Sequence, residues 1–171
     1  WLSSRSDTPD LVEKALRIAR YSFDARNRKT GLVPNEPDTG RWDAKVCTSE
    51  IGLWANCLLR AAALTGAGAF AEMAREAVRA YLLHAFDGES GRYFGQVGIA
   101  DGKPVVAASP GYWPRQNADA WTTDQWPTHD YPAEVAEACL SLHRLGGEEI
   151  FREHALGLGR VFMATRPARS G

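Results

Sequence analysis

Apolar residues recur at helical spacing in five stretches of this chain, and each stretch differs in how much of its circumference is apolar. Over 69–86, Phe70, Met73, Ala74, Ala77, Val78, Tyr81 and Leu82 follow the i, i+3, i+4, i+7 rule, with Glu72, Arg75, Glu76 and Arg79 opposite. That spacing predicts an amphipathic helix with one wet face. Over 49–64, Ile51, Leu53, Trp54, Ala55, Cys57, Leu58, Leu59 and Ala61 to Ala63 leave almost no polar side, which predicts a helix buried on most sides. A helix is also predicted over 9–23, with Thr8 as N-cap and Pro9 at the first helical position. Its apolar stripe is Leu11, Ala15, Ile18, Ala19 and Phe23. The last two predicted helices span 132–145 and 148–164.

The pattern repeats. With Phe70 placed over Phe151, a shift of 81 positions, Ala55 falls on Ala136, Leu59 on Leu140, Leu64 on Leu145 and Gly66 on Gly147. Ala74 then falls on Ala155, Arg79 on Arg160, and Tyr81-Leu82 on Phe162-Met163. Both copies read helix, short glycine turn, helix. A repeated helical pair predicts an all-α stack or ring in which each unit buries its apolar face against the next. An enclosed helix followed by an amphipathic one predicts two concentric layers, 49–64 and 132–145 inside and 9–23, 69–86 and 148–164 outside. The helix over 9–23 has no inner partner before it, so about two and a half hairpins are expected.

Inner-to-outer turns are short, at Thr65-Gly66-Ala67-Gly68 and Gly146-Gly147, whereas the connections over 24–48 and 87–131 are long. Structureless loops of that length in a compact domain usually serve function. Both leave outer helices and re-enter at inner-helix N-termini, so topology places them at one end of the stack. Within the second, 95–108 predicts a small β-hairpin with Asp101-Gly102 at its turn.

Composition narrows the reading. The 171 residues are 44% hydrophobic, and 20 basic against 21 acidic residues give a formal charge of −1. The length allows a single domain over 1–171 with a real core. The charge balance offers nothing to nucleic acid or an anionic membrane, and no apolar run reaches the roughly 18 residues of a membrane span. Cys47, Cys57 and Cys139 lack C-x-x-C spacing and read as inert thiols, with Cys57 and Cys139 in apolar helical patterns as small hydrophobes. His84, His143 and His154 lie on predicted helices without ligand spacing and read as structural. The chain opens at Trp1 without Met, so a native start is expected upstream and location stays open.

The two long loops hold four of the six tryptophans, Trp42, Trp113, Trp121 and Trp126. Rings in such loops either pin the chain or offer flat apolar faces to a ligand. Sugar rings match such faces, and the neighbouring Asp, Asn, Gln, Arg and His can bond hydroxyls. The Leu-x-Gly-x-x-x-Phe hairpins, the Asp-x-x-Ser-Gly-Arg-Tyr exit over 87–93, the tryptophan-rich loops and His129-Asp130-Tyr131-Pro132 before a helix resemble the α/α-toroid carbohydrate-active enzymes. Pectate-lyase-like members are the most similar in style. The resemblance is one of fold, and it implies catalytic groups at inner-helix N-termini and in the loops above them. It also implies a secreted or periplasmic polysaccharide-degrading enzyme, with a glycan as partner. The rest of a larger ring, or a second copy, would cover the apolar faces that a half ring leaves open.

Glu50 opens the most apolar helix beside Trp42 and Asp43, either as a desolvated carboxylate or as a first-turn acid on the helix dipole. His129 and Asp130 stand at the equivalent place in the second copy. Asp124 and Arg115 lie among the loop tryptophans, and Arg41 and Tyr131 complete the candidate set. Hydrolysis needs two carboxylates about 5–10 Å apart, which Glu50, Asp43, Asp124 and Asp130 could supply. β-Elimination on a uronate needs a base, for which His129 or Tyr131 would serve. It also needs a cation on the carboxylate, from Arg41, Arg115 or a divalent metal. The resemblance favours the lyase, with a hydrolase as alternative. A toroid sugar isomerase, or a non-catalytic helical-repeat scaffold for glycan or protein, ranks below both.

Overall fold

The computed structural model describes residues 10–34, 37, 44–89, 91–105 and 131–165, with only the backbone of Ser49, Arg92, Tyr131, Pro132, Val161, Phe162, Ala164 and Thr165. These residues form a mostly helical, all-α structure with five helices and two small two-stranded sheets. The helices are α1 (Asp10–Asp24), α2 (Thr48–Thr65), α3 (Gly68–Ala85), α4 (Tyr131–Gly146) and α5 (Glu149–Thr165). Each lies within about a residue of the stretch its periodicity predicts. Thr8 and Pro9 lie outside the described residues.

The helices form two antiparallel hairpins, α2–α3 and α4–α5, which pack side by side through α2 and α4, while α1 lies against α3. The two hairpin turns are alike in detail. Gly66 and Gly147 both take a left-handed backbone, φ 71° and 70°, which glycine adopts without a Cβ penalty. Their N–H groups donate to Ala62 O at 2.9 Å and His143 O at 2.7 Å. Phe70 and Phe151, one turn further on, are both buried, as are Ala74 and Ala155. The repeat is therefore structural as well as sequential.

Between the hairpins, α2 and α4 approach closely. A Cβ on Gly52 would stand 2.9 Å from the Glu134 Cβ and 3.0 Å from Val135 N. Only the absence of a side chain at 52 permits that approach. Asn56 Nδ2 donates to Glu134 O at 2.9 Å across the same seam. Facing its partners, α2 buries Ile51, Ala55, Leu58 and Leu59.

Two expectations change. The helix α2 is less enclosed than its composition suggests, because Leu53, Cys57, Arg60 and Leu64 form an exposed stripe at helical spacing. Cys57 is accordingly exposed, whereas Cys47 and Cys139 are buried. In α1 the core-facing stripe is half-buried Val12 and Leu16 with buried Ala19 and Phe23, not one running through Ala15 and Ile18. Ile18 is 69% exposed. Two neighbouring apolar rows on α1 share Ala19 and Phe23, which stacks on Trp54 with centroids 6.5 Å apart, and the packing of Val12 and Leu16 on the core selects between them.

The strands are β1 (Lys45–Cys47), β2 (Phe86–Asp87), β3 (Arg92–Tyr93) and β4 (Gln96–Gly98). A short hairpin joins β2 to β3, and β1 pairs antiparallel with β4, Val46 opposite Val97. The predicted 95–108 hairpin is present through Val105, since Val105 N–H donates to Gln96 O and Gly98 N–H to Lys103 O. At its tip Gly102 takes φ +68°, and a Cβ there would fall 2.2 Å from His84 Nδ1. The strand β1 had no sequence signal, being three residues long.

Candidate functional site

The connections that enter α2 and α4 are the chain's long ones, and their described parts are bound to one another. Ile99 N–H donates to Ala44 O at 2.9 Å and Thr48 N–H to Gly95 O at 3.0 Å, extending the β1–β4 pairing at both ends. Thr30 Oγ1 donates to Ile99 O at 2.7 Å, and Lys45 Nζ to Gln96 Oε1 at 3.0 Å. Below, Tyr81 donates its hydroxyl to Phe94 O, while Thr48 Oγ1 lies 2.7 Å from the Tyr81 oxygen. Desolvation drives the Tyr81 phenol far above its ordinary range, so it acts as a fixed neutral strut. Backbone and hydroxyl bonds thus bind the two loops into one platform over the N-terminus of α2.

The exits from α1 and α3 are built alike. Asn27 accepts from Lys29 and Thr30 N–H through its Oδ1 and from Gly31 N–H through its carbonyl. Asp87 accepts from Glu89 N–H and Gly91 N–H in the same way. Gly31 and Gly91 share a left-handed φ of 74° and 68°. The equivalence is therefore Asn27 with Asp87.

Glu50 sits in the first turn of α2, where its Oε2 accepts from Cys47 N–H at 2.9 Å. This is the reciprocal half of a capping box. A cavity of about 30 Å³ lies beside it, lined by Ser22, Val33, Pro34, Val46, Ile51 and Trp54, which is room for one water. Burial first, then the charge of Glu50, pushes the Cys47 thiol up, which disfavours the reactive thiolate. Tyr131 begins α4, and its backbone alone is described. Arg41, Trp42, Asp43, Trp113, Arg115, Trp121, Asp124, Trp126, His129 and Asp130 lie outside the described residues. Because Gly52 lies against Glu134, the N-terminus of α4 stands beside that of α2. Among the described residues no three His, Cys, Asp or Glu are placed to hold a metal ion.

Of the helical histidines, His84 Nε2 meets Thr30 O and His143 Nδ1 meets Glu148 O, both at 3.1 Å. His154 differs. Its Nδ1 lies 3.0 Å from the Tyr93 hydroxyl, with Phe86 packed edge-on to the ring, centroids 5.0 Å apart. The repeat carries a signal for this pair. Shifted by 81, His154 takes the place of the buried Met73 and Gly157 that of Glu76. No family model and no curated protein matches the chain.

Proposed function

We propose that the chain is part of an α/α toroid that cleaves a polysaccharide, with uronic-acid polymers the favoured substrate. The observation that carries this reading is the binding of the two long connections to each other at the N-terminal end of α2. Parallel inner helices, matched hairpin turns and matched exit turns are what a toroid requires. In this reading the platform is the common base of the tryptophan-rich loops, and ionisable groups stand at adjacent helix N-termini.

Elimination at a uronate removes the C5 proton, forms the C4–C5 double bond and expels the C4 oxygen, which takes up a proton. His129 or Tyr131 takes the proton in this proposal, Arg41 or Arg115 neutralises the carboxylate, and Trp42, Trp113, Trp121 and Trp126 stack on sugar rings. Glu50, Asp124 and Asp130 supply acid–base groups beside them. The lyase is preferred to a hydrolase on the likeness to pectate-lyase-like toroids.

Incubation of the native protein with uronans and neutral glycans tests the proposal. Ultraviolet absorbance from an unsaturated uronate is the expected outcome. New reducing ends without that absorbance would replace the lyase with a hydrolase, and no product from either class would end the glycan-cleaving reading. His129→Ala should lower the rate by about 10²-fold or more.

A further inference from the structure

Away from the loop platform, a groove of about 1110 Å³ runs between α3 and α5 and ends on the β2–β3 hairpin. Leu82, Phe86 and Phe151 line it, and Leu83 and Ile150 stand exposed at its rim. At the base is the Tyr93–His154 pair, both residues buried. The helix α5 is notched to admit it: a Cβ on Gly157 would lie 2.6 Å from the Tyr93 hydroxyl oxygen. Glycine within a helix costs about 1 kcal/mol relative to alanine, and the first copy of the repeat needs none there.

Among the described residues, the pair leaves one ring donor without an acceptor. Desolvation pushes the Tyr93 phenol up to about 12 and holds the His154 imidazolium below the ordinary histidine range. The phenol therefore keeps its proton and the imidazole is neutral. We assign the hydroxyl as donor to Nδ1, which puts the imidazole proton on Nε2. Among the described residues, Nε2 forms no hydrogen bond. Arg160 also lines the groove, near enough to act on the Tyr93 phenol. It makes no ion pair or hydrogen bond among the described residues. The groove's other arginine, Arg79, is taken by Glu148. Among the described residues Glu153 is the one lining carboxylate, and it is exposed. A guanidinium and an N–H donor, both without acceptors among the described residues, thus line one apolar trough of ligand size.

We infer that this groove binds a flat organic anion, an aromatic carboxylate, with the carboxylate on Arg160 and His154 Nε2 and the ring against Leu83, Phe86 and Ile150. An acceptor anion satisfies both donors, and the apolar walls take the ring out of water. The site is separate from the loop platform and stands whether or not the chain acts on glycans.

Titration calorimetry of the 171-residue chain with 2-naphthoate, against neutral 2-naphthalenemethanol, tests the assignment. Naphthoate should bind, the alcohol should bind at least about tenfold more weakly, and R160Q should cost naphthoate a similar factor. Arg160 is exposed, so its replacement leaves the fold intact. In ¹⁵N spectra the His154 ring should show the Nε2–H tautomer, and its Nε2 signal should shift on adding naphthoate. Equal binding of acid and alcohol, unchanged affinity in R160Q, or no binding at millimolar concentration overturns the inference. So does a dimer that Leu83→Glu dissociates, because a second copy would then fill the groove.

Discussion

Gly52 and Glu134 touch almost backbone to backbone, and this contact sets the distance between the two hairpins. Gly52→Ala should destabilise the protein by about 1–2 kcal/mol, since the overpacking cost outweighs the gain in helix propensity. Gly159, within α5, has open space where a Cβ would stand, with nothing within 4 Å. Gly159→Ala should therefore stabilise by about 0.5–1 kcal/mol. Urea unfolding of both variants checks the pair, and equal signs would refute the close-approach account.

Glu50 offers a separation of capping from chemistry. Gln retains an oxygen able to accept from Cys47 N–H, so Glu50→Gln should cost under about 0.5 kcal/mol, against about 1 kcal/mol for Glu50→Ala. If the carboxylate also serves as acid or base, Glu50→Gln should slow turnover by about 10²-fold or more on whichever glycan the native protein cleaves. Unfolding midpoints and rates measured on the same two variants distinguish the roles.

Loop cohesion rests on Thr30, whose buried hydroxyl bonds Ile99 O. Thr30→Val should cost about 1–3 kcal/mol, because it leaves that carbonyl without its donor. Hydrogen exchange should rise at Ile99 and Gly98 N–H more than in α4. Uniform change across the chain would show that the two loops are not held together there.

The three cysteines should react in two classes. Cys57 is exposed, whereas Cys47 and Cys139 are buried with thiols pushed up, Cys139 to about 12. Thiolate is the reactive form. Mass spectrometry after brief treatment with a maleimide at neutral pH should show label on Cys57 alone, and on all three in urea.

Stability should fall on mild acidification. His154 has a folded-state pKa below its unfolded value of 6.5, so the unfolded chain binds its proton first. Unfolding free energy then decreases as pH drops below 6.5 and levels off once the folded imidazole also titrates. Urea midpoints at pH 7.5 and pH 5 (values about one unit or more either side of the unfolded pKa) should differ less in His154→Gln than in the parent chain.

The helices and their turns were legible because their signals are local. A 3.6-residue period marks a stretch, and a glycine after the last apolar position marks its end, as at Gly66 and Gly147. Even the Asp101-Gly102 turn was readable. The candidate site was legible only as residue types gathered at one end by topology. For Glu50 the structure adds a capping bond, while the loop tryptophans and His129 lie outside what it describes.

What the sequence alone determined is the all-α hairpin repeat, since periodicity, caps and turn glycines act over a few residues and need no distant partner. Which of two apolar rows on α1 faces the core was decided by the packing of Val12 and Leu16 on it, with Ile18 left exposed. The β1–β4 pairing joins Val46 to Val97 through backbone groups that every residue possesses, so no side-chain pattern announces it. The Tyr93–His154 pair likewise exists only because Gly157 leaves space where α5 meets the hairpin. Contacts of this kind depend on the position of whole elements, and only tertiary packing supplies that.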